Sequence, residues 1–167
     1  MLHKGVKVNK SKLEGRGLVA TEYIPKGKIV WKLDKDEKKL TLDELKKLPP
    51  KRKKLAYQYK DRFIIVMDSS EYMNHSCDPN TWWKNDETLI ARYDINPGDE
   101  VTYDYATAEI DDKFRSRWKC QCGSKNCRKY ITGSDCLNPE FQKKYQDHLP
   151  SWVLKYIRSQ NKSLSSN

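Results

Sequence analysis

The chain has 167 residues, which is long enough for one well-buried domain and too short for two comfortable ones. It carries 33 Lys and Arg against 23 Asp and Glu, a formal net charge of +10. Its first residues are basic and polar, unlike a secretory leader, and no run approaches the roughly 18 apolar residues of a membrane span. We therefore expect a soluble, unprocessed protein.

The charge is distributed unevenly along the sequence. Residues 1–62 carry 19 Lys and Arg against 8 Asp and Glu, and residues 113–167 carry 12 against 3. Residues 63–112 carry only 2 against 12 and form the acidic third of a basic chain. A basic exterior favours binding to an anionic partner such as nucleic acid. An acidic centre favours a substrate whose reacting group is cationic. Acidic loops that simply offset basic ones are the plain alternative.

Short alternating or apolar runs between turn residues predict a mainly β chain with small helices in one domain. The segments Ile24 to Gly27 and Ile95 to Gly98 contain Pro and Gly, and each predicts a turn ahead of a strand. The predicted strands, in chain order, are Val6 to Val8, Leu18 to Glu22, Ile29 to Leu33, Phe63 to Met67, Leu89 to Tyr93 and Val101 to Tyr105.

Three segments have the signals of helices. Thr41 to Leu48 begins with a capping box and is stopped by two prolines. The dipeptides that start at Asn138 and at Pro150 predict two further helices, and the Ser- and Asn-rich sequence beyond Ser159 is expected to fray. The basic run from Pro49 to Lys54 resembles a nuclear-import signal, but it could equally contact phosphates or be a solvated helix exit.

Four of the five cysteines are spaced like metal ligands. Cys120, Cys122 and Cys127 form a Cys-x-Cys-x4-Cys group, and Cys77 lies far upstream. Two cysteines separated by one residue cannot usefully form a disulfide, so metal ligation in a reducing compartment is the better account. Four thiolates predict a closed, structural zinc site that ties two distant stretches together. Cys136 falls outside this set and is interpreted as a buried small hydrophobe.

Three further motifs accompany the cysteines and carry a family resemblance. They are the segments Gly15 to Gly17, Asn74 to Cys77 and Gly98 to Tyr105. With the cysteine group, they resemble the SET-domain protein lysine methyltransferases that have a post-SET zinc segment, over a region from about Lys12 to Tyr130. The resemblance implies the SET fold, with several short curved sheets and a knot-like C-terminal threading. It also implies S-adenosyl-L-methionine as the cofactor.

The resemblance divides the chain into four parts. Residues 1–118 match the SET domain, and residues 119–135 match the post-SET zinc segment. We expect residues 136–160 to form a helical extension packed on the domain and residues 161–167 to form a disordered tail. The insert before Phe63 is short, which weakens any expectation of sequence selectivity. Glu71 to Met73 replaces the Arg-Phe that the family often has, and it adds negative charge beside the implied channel.

The resemblance assigns catalytic roles to three tyrosines. Tyr105 matches the family's catalytic tyrosine, and we expect it to position the amine, since an unperturbed tyrosine titrates near pH ~10 and is a poor base at neutrality. Tyr103 matches the position that limits the number of methyl groups, and Tyr rather than Phe there favours mono- or dimethylation. Tyr57 aligns best with a further channel tyrosine, with Tyr59 as a near competitor. The plain alternative is that these are ordinary strand or core aromatics.

The resemblance also implies a cofactor site. A tight turn is the plain alternative for the glycine segment, and a structural loop is the alternative for the Asn-His pair. The residue that packs on the adenine stays open among Trp118, Tyr130 and Ile131. The implied cofactor-binding residues are Glu14, Gly15, Arg16, Gly17, Tyr57, Asn74, His75 and Tyr105.

The predicted function is therefore S-adenosylmethionine-dependent N-methylation of lysine in a basic protein, a histone or another chromatin protein. The alternatives are a non-catalytic, zinc-stabilised module that binds nucleic acid, and a lysine methyltransferase of a ribosomal or host protein. The basic surface could contact nucleic acid, and we expect no membrane association. The expected location is a reducing intracellular compartment, the nucleus in a eukaryote; the cytoplasm or a secreted effector stays open.

Overall fold

The structure is a computed structural model that describes residues 1–53, 55–66 and 68–165, with side chains as far as residue 162. In these residues, short strands form three small sheets, which confirms the predicted mainly β class. The strands are β1 (Val6–Lys10), β2 (Arg16–Ala20), β3 (Ile29–Lys32), β4 (Lys39–Leu40), β5 (Ala56–Tyr59), β6 (Arg62–Ile65), β7 (Asn74–His75), β8 (Thr81–Asn85), β9 (Thr88–Ala91) and β10 (Glu100–Tyr103). The helices are α1 (Leu42–Lys47), α2 (Pro50–Lys53), α3 (Pro139–Tyr145) and α4 (Ser151–Ser165).

The first sheet brings two of the sequence motifs side by side. Its strand order is β1-β2-β10-β7, and β10 runs antiparallel to β2, with Val101 opposite Leu18. On its other side β10 runs parallel to β7, which places Tyr103 opposite His75. A parallel pair cannot be closed by a tight hairpin, so this neighbourhood depends on tertiary packing rather than on local turns. Leu18 and Val101 are fully buried and anchor the sheet in the core.

The other two sheets have the orders β3-β9-β8 and β4-β6-β5. In the sheet β3-β9-β8, Trp31 of β3 and Trp83 of β8 are 4% and 2% exposed, with ring centroids 6.2 Å apart at 86°. Edge-to-face packing of this kind adds to the burial of the rings. The turns predicted at Ile24 and Ile95 pair with each other through two backbone hydrogen bonds of 2.9 Å.

All six predicted strands are present, each within a few residues of its predicted bounds, except that Met67 lies outside the described residues. β10 ends at Tyr103 rather than Tyr105, because Asp104 caps a 3-10 turn over Tyr105–Thr107. The sequence does not predict β4, β5, β7 and β8. β4 and β7 have two residues each and pair with strands that lie elsewhere in the chain, whereas β5 and β8 form hairpins with β6 and β9.

The three predicted helices begin where the sequence predicts them, and α2 is a short helix that was not predicted. The capping box of α1 is confirmed, with Glu44 N–H donating to Thr41 Oγ1 and Thr41 N–H donating to the Glu44 carboxylate. α2 lies in the basic run, whose last residue, Lys54, is outside the described residues. α4 continues to Ser165, past residue 160 where the helical extension was expected to end, and residues 166 and 167 are outside the described part. None of the described helices has the length and apolar character needed to span a membrane.

The C-terminal helices pack against the sheets. Tyr145 of α3 and Val153 of α4 are fully buried. Trp152 lies against Tyr59 and Trp83, with ring centroids 5.5 Å and 6.3 Å away, and its Nε1–H donates to the Ala108 carbonyl at 3.2 Å. The end of the chain therefore contributes to the same aromatic core as the sheets.

Candidate active site

The four predicted ligand cysteines come together. The sulfur atoms of Cys77, Cys120, Cys122 and Cys127 all lie within 4.8 Å of one another, although Cys77 precedes the group by more than forty residues. Burial raises the pKa of Cys77, and it raises the pKa of Cys120 to about 11, so a bound cation is needed to keep these sulfurs as thiolates. Four sulfur ligands in a partly buried cluster fit a closed, tetrahedral zinc site with no open position for catalysis.

Tyr105 is the first residue of the 3-10 turn that follows β10. Its hydroxyl donates a hydrogen bond to the Met73 carbonyl at 2.9 Å, and its backbone N–H donates to His75 Nδ1 at 3.2 Å. Its ring lies 4.8 Å from the Tyr103 ring, measured between centroids. Burial raises the pKa of Tyr105 above its ordinary value, so this phenol stays protonated at neutral pH. Its proton is committed to Met73, which leaves the oxygen lone pairs as acceptors.

His75 connects Tyr105 to the cysteine cluster. Burial lowers its pKa to about 4, so the ring is neutral at physiological pH. Because Nδ1 accepts from Tyr105, the ring proton lies on Nε2, which is 3.3 Å from Cys77 Sγ. A neutral imidazole that donates to a ligand sulfur orients that ligand. The predicted proximity of His75, Tyr105 and the cysteines is therefore present as a chain of contacts.

Two cavities meet at Tyr105. The first, here called the aromatic cavity, has a volume of about 260 Å³. The second, the polar cleft, has a volume of about 150 Å³ and is lined by Glu14, Asn74, His75 and residues of the cysteine segment. Tyr105 and Trp118 line both cavities. Other residues that line the aromatic cavity include Trp31, Tyr57, Met73, Trp83, Tyr103 and Phe114.

The loop before β2 is held by a residue that the sequence does not single out. The Glu100 carboxylate accepts hydrogen bonds from Ser11 Oγ at 2.7 Å and from the Lys12 N–H at 3.1 Å. Asn74 Nδ2 lies 2.8 Å from Glu100 Oε1 and 3.0 Å from the Arg16 carbonyl. A Cβ atom on Gly17 would lie 2.3 Å from Glu100 Oε1. Gly17 is thus required by the close approach of Glu100, and the Asn74 amide is used to hold the loop.

The glycine segment only partly matches its predicted role. Glu14 lines the polar cleft as expected. Gly15 has a φ of +53°, a left-handed conformation that favours glycine and turns the loop at this point. The Arg16 side chain points elsewhere, since its Nη2 donates to the Tyr72 hydroxyl at 2.6 Å and its guanidinium lies 4.1 Å from that ring centroid. Arg16 therefore joins the loop to the segment before β7, and the structure does not bring its side chain into the cleft.

The geometry separates the residues that the sequence left as alternatives. Tyr57 lines the aromatic cavity, with its ring centroid 6.2 Å from that of Trp31, whereas Tyr59 is not among the lining residues and its hydroxyl donates to Glu87 at 2.6 Å. The Tyr57 hydroxyl is buried and has no hydrogen-bond partner among the described residues. Of the three adenine candidates, Trp118 lines the polar cleft, Ile131 is fully buried in the core, and Tyr130 is exposed.

Two carboxylates also line the aromatic cavity. Glu71 precedes β7, as the sequence anticipated, and Glu109 follows the 3-10 turn of Tyr105. Burial raises the pKa of Glu109, and its carboxylate accepts one hydrogen bond from the Asp111 N–H at 2.9 Å. Sequence inspection missed Glu109 because nothing in the local pattern distinguishes it from the other acidic residues of this third of the chain.

Together, these features describe a site of the kind found in group-transfer proteins. A four-cysteine metal site clamps the C-terminal segment against a β fold in which a tyrosine and a tryptophan separate an aromatic cavity from a polar cleft. A site with this shape suits the transfer of a small group between two ligands that enter from different sides.

Comparison with known proteins identifies the family. A profile described as the SET domain matches residues 15–106, more than half of the chain, and the chain therefore belongs to the SET-domain family. The chain is 33% identical over 140 residues to the histone-lysine N-methyltransferase trithorax of Drosophila virilis, across 75% of this chain and 4% of that protein. It is 30% identical over 148 residues to the putative histone-lysine N-methyltransferase ASHH4 of Arabidopsis thaliana, across 80% of this chain and 41% of that protein.

Solved structures support the same fold. The structure of KRYPTONITE in complex with mCHG DNA and SAH matches with a TM-score of 0.59 and 23% identity, over 77% of this chain and 29% of that one. The methyltransferase domain of human SETMAR matches with a TM-score of 0.58 and 23% identity, over 78% of this chain and 58% of that one. The predicted SET fold is therefore confirmed.

Proposed function

We propose that this protein is an S-adenosylmethionine-dependent protein lysine N-methyltransferase. The observation that carries the proposal is the meeting of the aromatic cavity and the polar cleft at Tyr105 and Trp118. One cavity suits an apolar stem that ends in a nitrogen, and the other suits a polar cofactor. The names of the relatives support this reaction type, since trithorax and ASHH4 are both described as histone-lysine N-methyltransferases.

The residues of the polar cleft fit the cofactor. Glu14 provides a carboxylate, Asn74 and His75 provide backbone groups, and Trp118 provides an aromatic face for the adenine. When bound, the cofactor supplies a methyl group on a positively charged sulfur. The protein then has to align the amine with the methyl group and exclude water from the site. The transfer itself needs neither a redox step nor a catalytic metal ion.

Tyr105 has the role of aligning the amine. Its hydroxyl proton is held by the Met73 carbonyl, so the phenol oxygen presents lone pairs to the junction of the two cavities. Such an oxygen accepts an N–H of the amine and orients the nitrogen lone pair toward the methyl group. The raised pKa of Tyr105 excludes a phenolate base at neutral pH, and the amine loses its proton to solvent before transfer.

The aromatic cavity selects a cationic side chain. The rings of Tyr57, Tyr103 and Trp118 shield the methylene stem of lysine, and their faces attract an ammonium group. Glu71 and Glu109 add negative charge in the same cavity. Desolvation in this cavity also favours the neutral amine, the form that accepts the methyl group.

A histone or another basic, chromatin-associated protein is the substrate that we favour. The basic flanks of the chain, with 19 and 12 Lys and Arg, can hold the anionic polymer to which such a substrate is bound. Methylation of a chromatin protein would place this enzyme in the nucleus of a eukaryotic cell. A ribosomal or host protein with an accessible lysine is the other substrate class.

Transfer of labelled methyl groups tests the proposal. The native protein and S-adenosylmethionine are incubated with mixed core histones, a ribosomal protein fraction and a lysine-free control protein. We expect label on lysine, located by mass spectrometry, with histones as the best acceptors. Tight cofactor binding without incorporation into any lysine-rich acceptor would instead favour a non-catalytic, nucleic-acid-binding module.

Tyr103 is expected to limit the number of methyl groups. Its ring is packed 4.8 Å from Tyr105, and its hydroxyl occupies space that a methylated amine needs. Tyr103→Phe should raise the fraction of trimethylated product from a minor species by roughly tenfold, which corresponds to about 1.4 kcal/mol of relieved crowding. Mass spectrometry of a peptide acceptor over time gives the product distribution, with the exposed Tyr130→Phe as the matched control. Efficient trimethylation by the native protein would contradict this role.

Glu100 is expected to support the cofactor without contacting the reacting atoms. Glu100→Gln replaces charge-assisted hydrogen bonds to Ser11 and Lys12 with neutral ones and loosens the loop that carries Glu14. We expect the dissociation constant for S-adenosylmethionine to rise about tenfold, a loss of about 1.4 kcal/mol. Calorimetric titration measures it, and Glu22→Gln, an exposed change beyond the other end of β2, should leave it unchanged. Equal affinities of the Glu100 variant and the native protein would refute the role.

A further inference from the structure

A buried carboxylate lies directly before Tyr105. Asp104 is 1% exposed and caps the 3-10 turn Tyr105–Thr107, accepting a hydrogen bond from the Ala106 N–H at 3.1 Å. Capping fixes the backbone at the start of such a turn. The location of this carboxylate therefore sets where Tyr105 begins and where its hydroxyl points.

The cysteine segment provides one partner of Asp104. Arg128 directly follows the last cysteine, and its guanidinium donates to both carboxylate oxygens, with Nη1 2.9 Å from Oδ2. The Arg128 backbone N–H donates to Cys77 Sγ at 3.4 Å, and its Nε lies 2.8 Å from Asp135 Oδ2. A buried carboxylate is tolerated as an ion only when it is paired and hydrogen-bonded. Arg128 supplies that pairing and joins it to the metal site.

The C-terminal extension provides another partner. Tyr145, at the end of α3, is fully buried, and its hydroxyl donates to Asp104 Oδ2 at 2.7 Å. The same helix is tied to the residue after Cys77, because Lys144 Nζ lies 3.0 Å from Asp78 Oδ1. α3 lies beyond both the matched SET-domain region and the cysteine group. Three parts of the chain that are distant in sequence thus converge on one carboxylate.

We propose that Tyr145 and Arg128 are positioning residues that hold Tyr105 in place through Asp104, which makes α3 part of the support of the active site. Tyr145 and Arg128 approach Oδ2 from different segments and restrain rotation of the carboxylate, while Oδ1 holds the Ala106 N–H. Without the Tyr145 hydroxyl, Oδ2 keeps only its Arg128 hydrogen bond, so the carboxylate can shift together with the Arg128 side chain, and the turn that carries Tyr105 loses part of its support. The role in transfer rests on the proposed function.

Kinetics of a conservative variant give the first test. Tyr145→Phe removes one oxygen atom, and Tyr156→Phe removes the same atom from α4 as a matched control. We expect Tyr145→Phe to lower kcat about tenfold, since small displacements of an aligning group are costly in rate. The dissociation constant for S-adenosylmethionine and the zinc content per chain should stay within about twofold of the native values. A native kcat in Tyr145→Phe would overturn the proposal.

Amide hydrogen exchange gives a second test that needs no methyl transfer. In Tyr145→Phe, the Ala106 N–H should exchange about tenfold faster, because its acceptor is no longer fixed. The Ala20 N–H, which donates to the Asp99 carbonyl at 2.9 Å in the first sheet, should keep its native rate, and Tyr156→Phe should change neither. Equal acceleration at Ala106 and Ala20 would show general destabilisation and overturn the proposal. An inactive native protein with selective loosening at Ala106 would refute the proposed function but not this inference.

Discussion

Replacing Tyr105 with Phe is expected to lower kcat by about hundredfold, the largest effect of any single-atom change in this protein. The hydroxyl accepts an N–H of the amine in our proposal, and no other hydroxyl lines both cavities among the described residues. The variant also loses the 2.9 Å hydrogen bond to Met73, which contributes about 1 kcal/mol to stability, so the fold is retained. Initial rates with a saturating peptide acceptor measure the loss.

Two controls accompany this prediction. Affinity for S-adenosylmethionine should change by less than about threefold in Tyr105→Phe, because the polar cleft keeps its other contacts. Tyr93→Phe changes a tyrosine that is 48% exposed and should leave both kcat and affinity unchanged. If Tyr105→Phe kept more than half of the native kcat, the proposed alignment of the amine would be wrong.

Loss of the metal is the second change with a large expected effect. Cys77→Ala removes one of four sulfur ligands and should abolish stoichiometric zinc binding. Because Cys77 also accepts from His75 and Arg128, the cysteine segment that lines the polar cleft should then detach. We expect cofactor affinity to fall by more than about hundredfold, together with a fall in Tm of about 10 °C or more.

The fifth cysteine offers a matched control for this experiment. Cys136 is fully buried, and its Sγ lies 3.6 Å from the Gly133 carbonyl rather than in the cluster. Cys136→Ala should therefore keep one zinc ion per chain, measured by atomic emission, and native cofactor affinity. Removal of zinc with a chelator should reproduce the Cys77→Ala result. A zinc-free protein that still binds the cofactor normally would show that the metal and the polar cleft are independent.

Local signals in the sequence predicted much of the fold. The capping box at Thr41, the turns near Ile24 and Ile95, and the alternating runs all act over a few residues, and each is found in the structure. β7 was missed because it shows no strand pattern of its own, whereas β8 was missed although its Thr and Trp residues favour a strand. β7 is only two residues long, and it forms because β10 lies beside it.

Site residues were predicted where their chemistry is distinctive. Three closely spaced cysteines with a fourth far upstream have few interpretations, and Tyr105 belonged to a recognisable motif. Ser11 and Tyr145 carried no such signal, and Glu100 belonged to the same motif as Tyr105 but had no predicted role. The Ser11–Glu100 hydrogen bond joins residues 89 positions apart, and the Tyr145–Asp104 hydrogen bond joins residues 41 positions apart. The direction of a side chain is likewise not encoded in its motif, and the Arg16 side chain contacts Tyr72 rather than lining the polar cleft.

The amino-acid sequence alone was enough to indicate a β-rich chain and a cysteine metal site, and the resemblance of its short motifs to a known family implied a SET domain with a pair of channel tyrosines. Only the tertiary structure decided that Tyr57 rather than Tyr59 lines the cavity, that Trp118 lies between the two cavities, and that Asp104 joins three segments. These outcomes depend on which distant surfaces pack together. Packing between distant segments depends on how the whole chain buries its side chains. No local periodicity of apolar residues in the sequence predicts it.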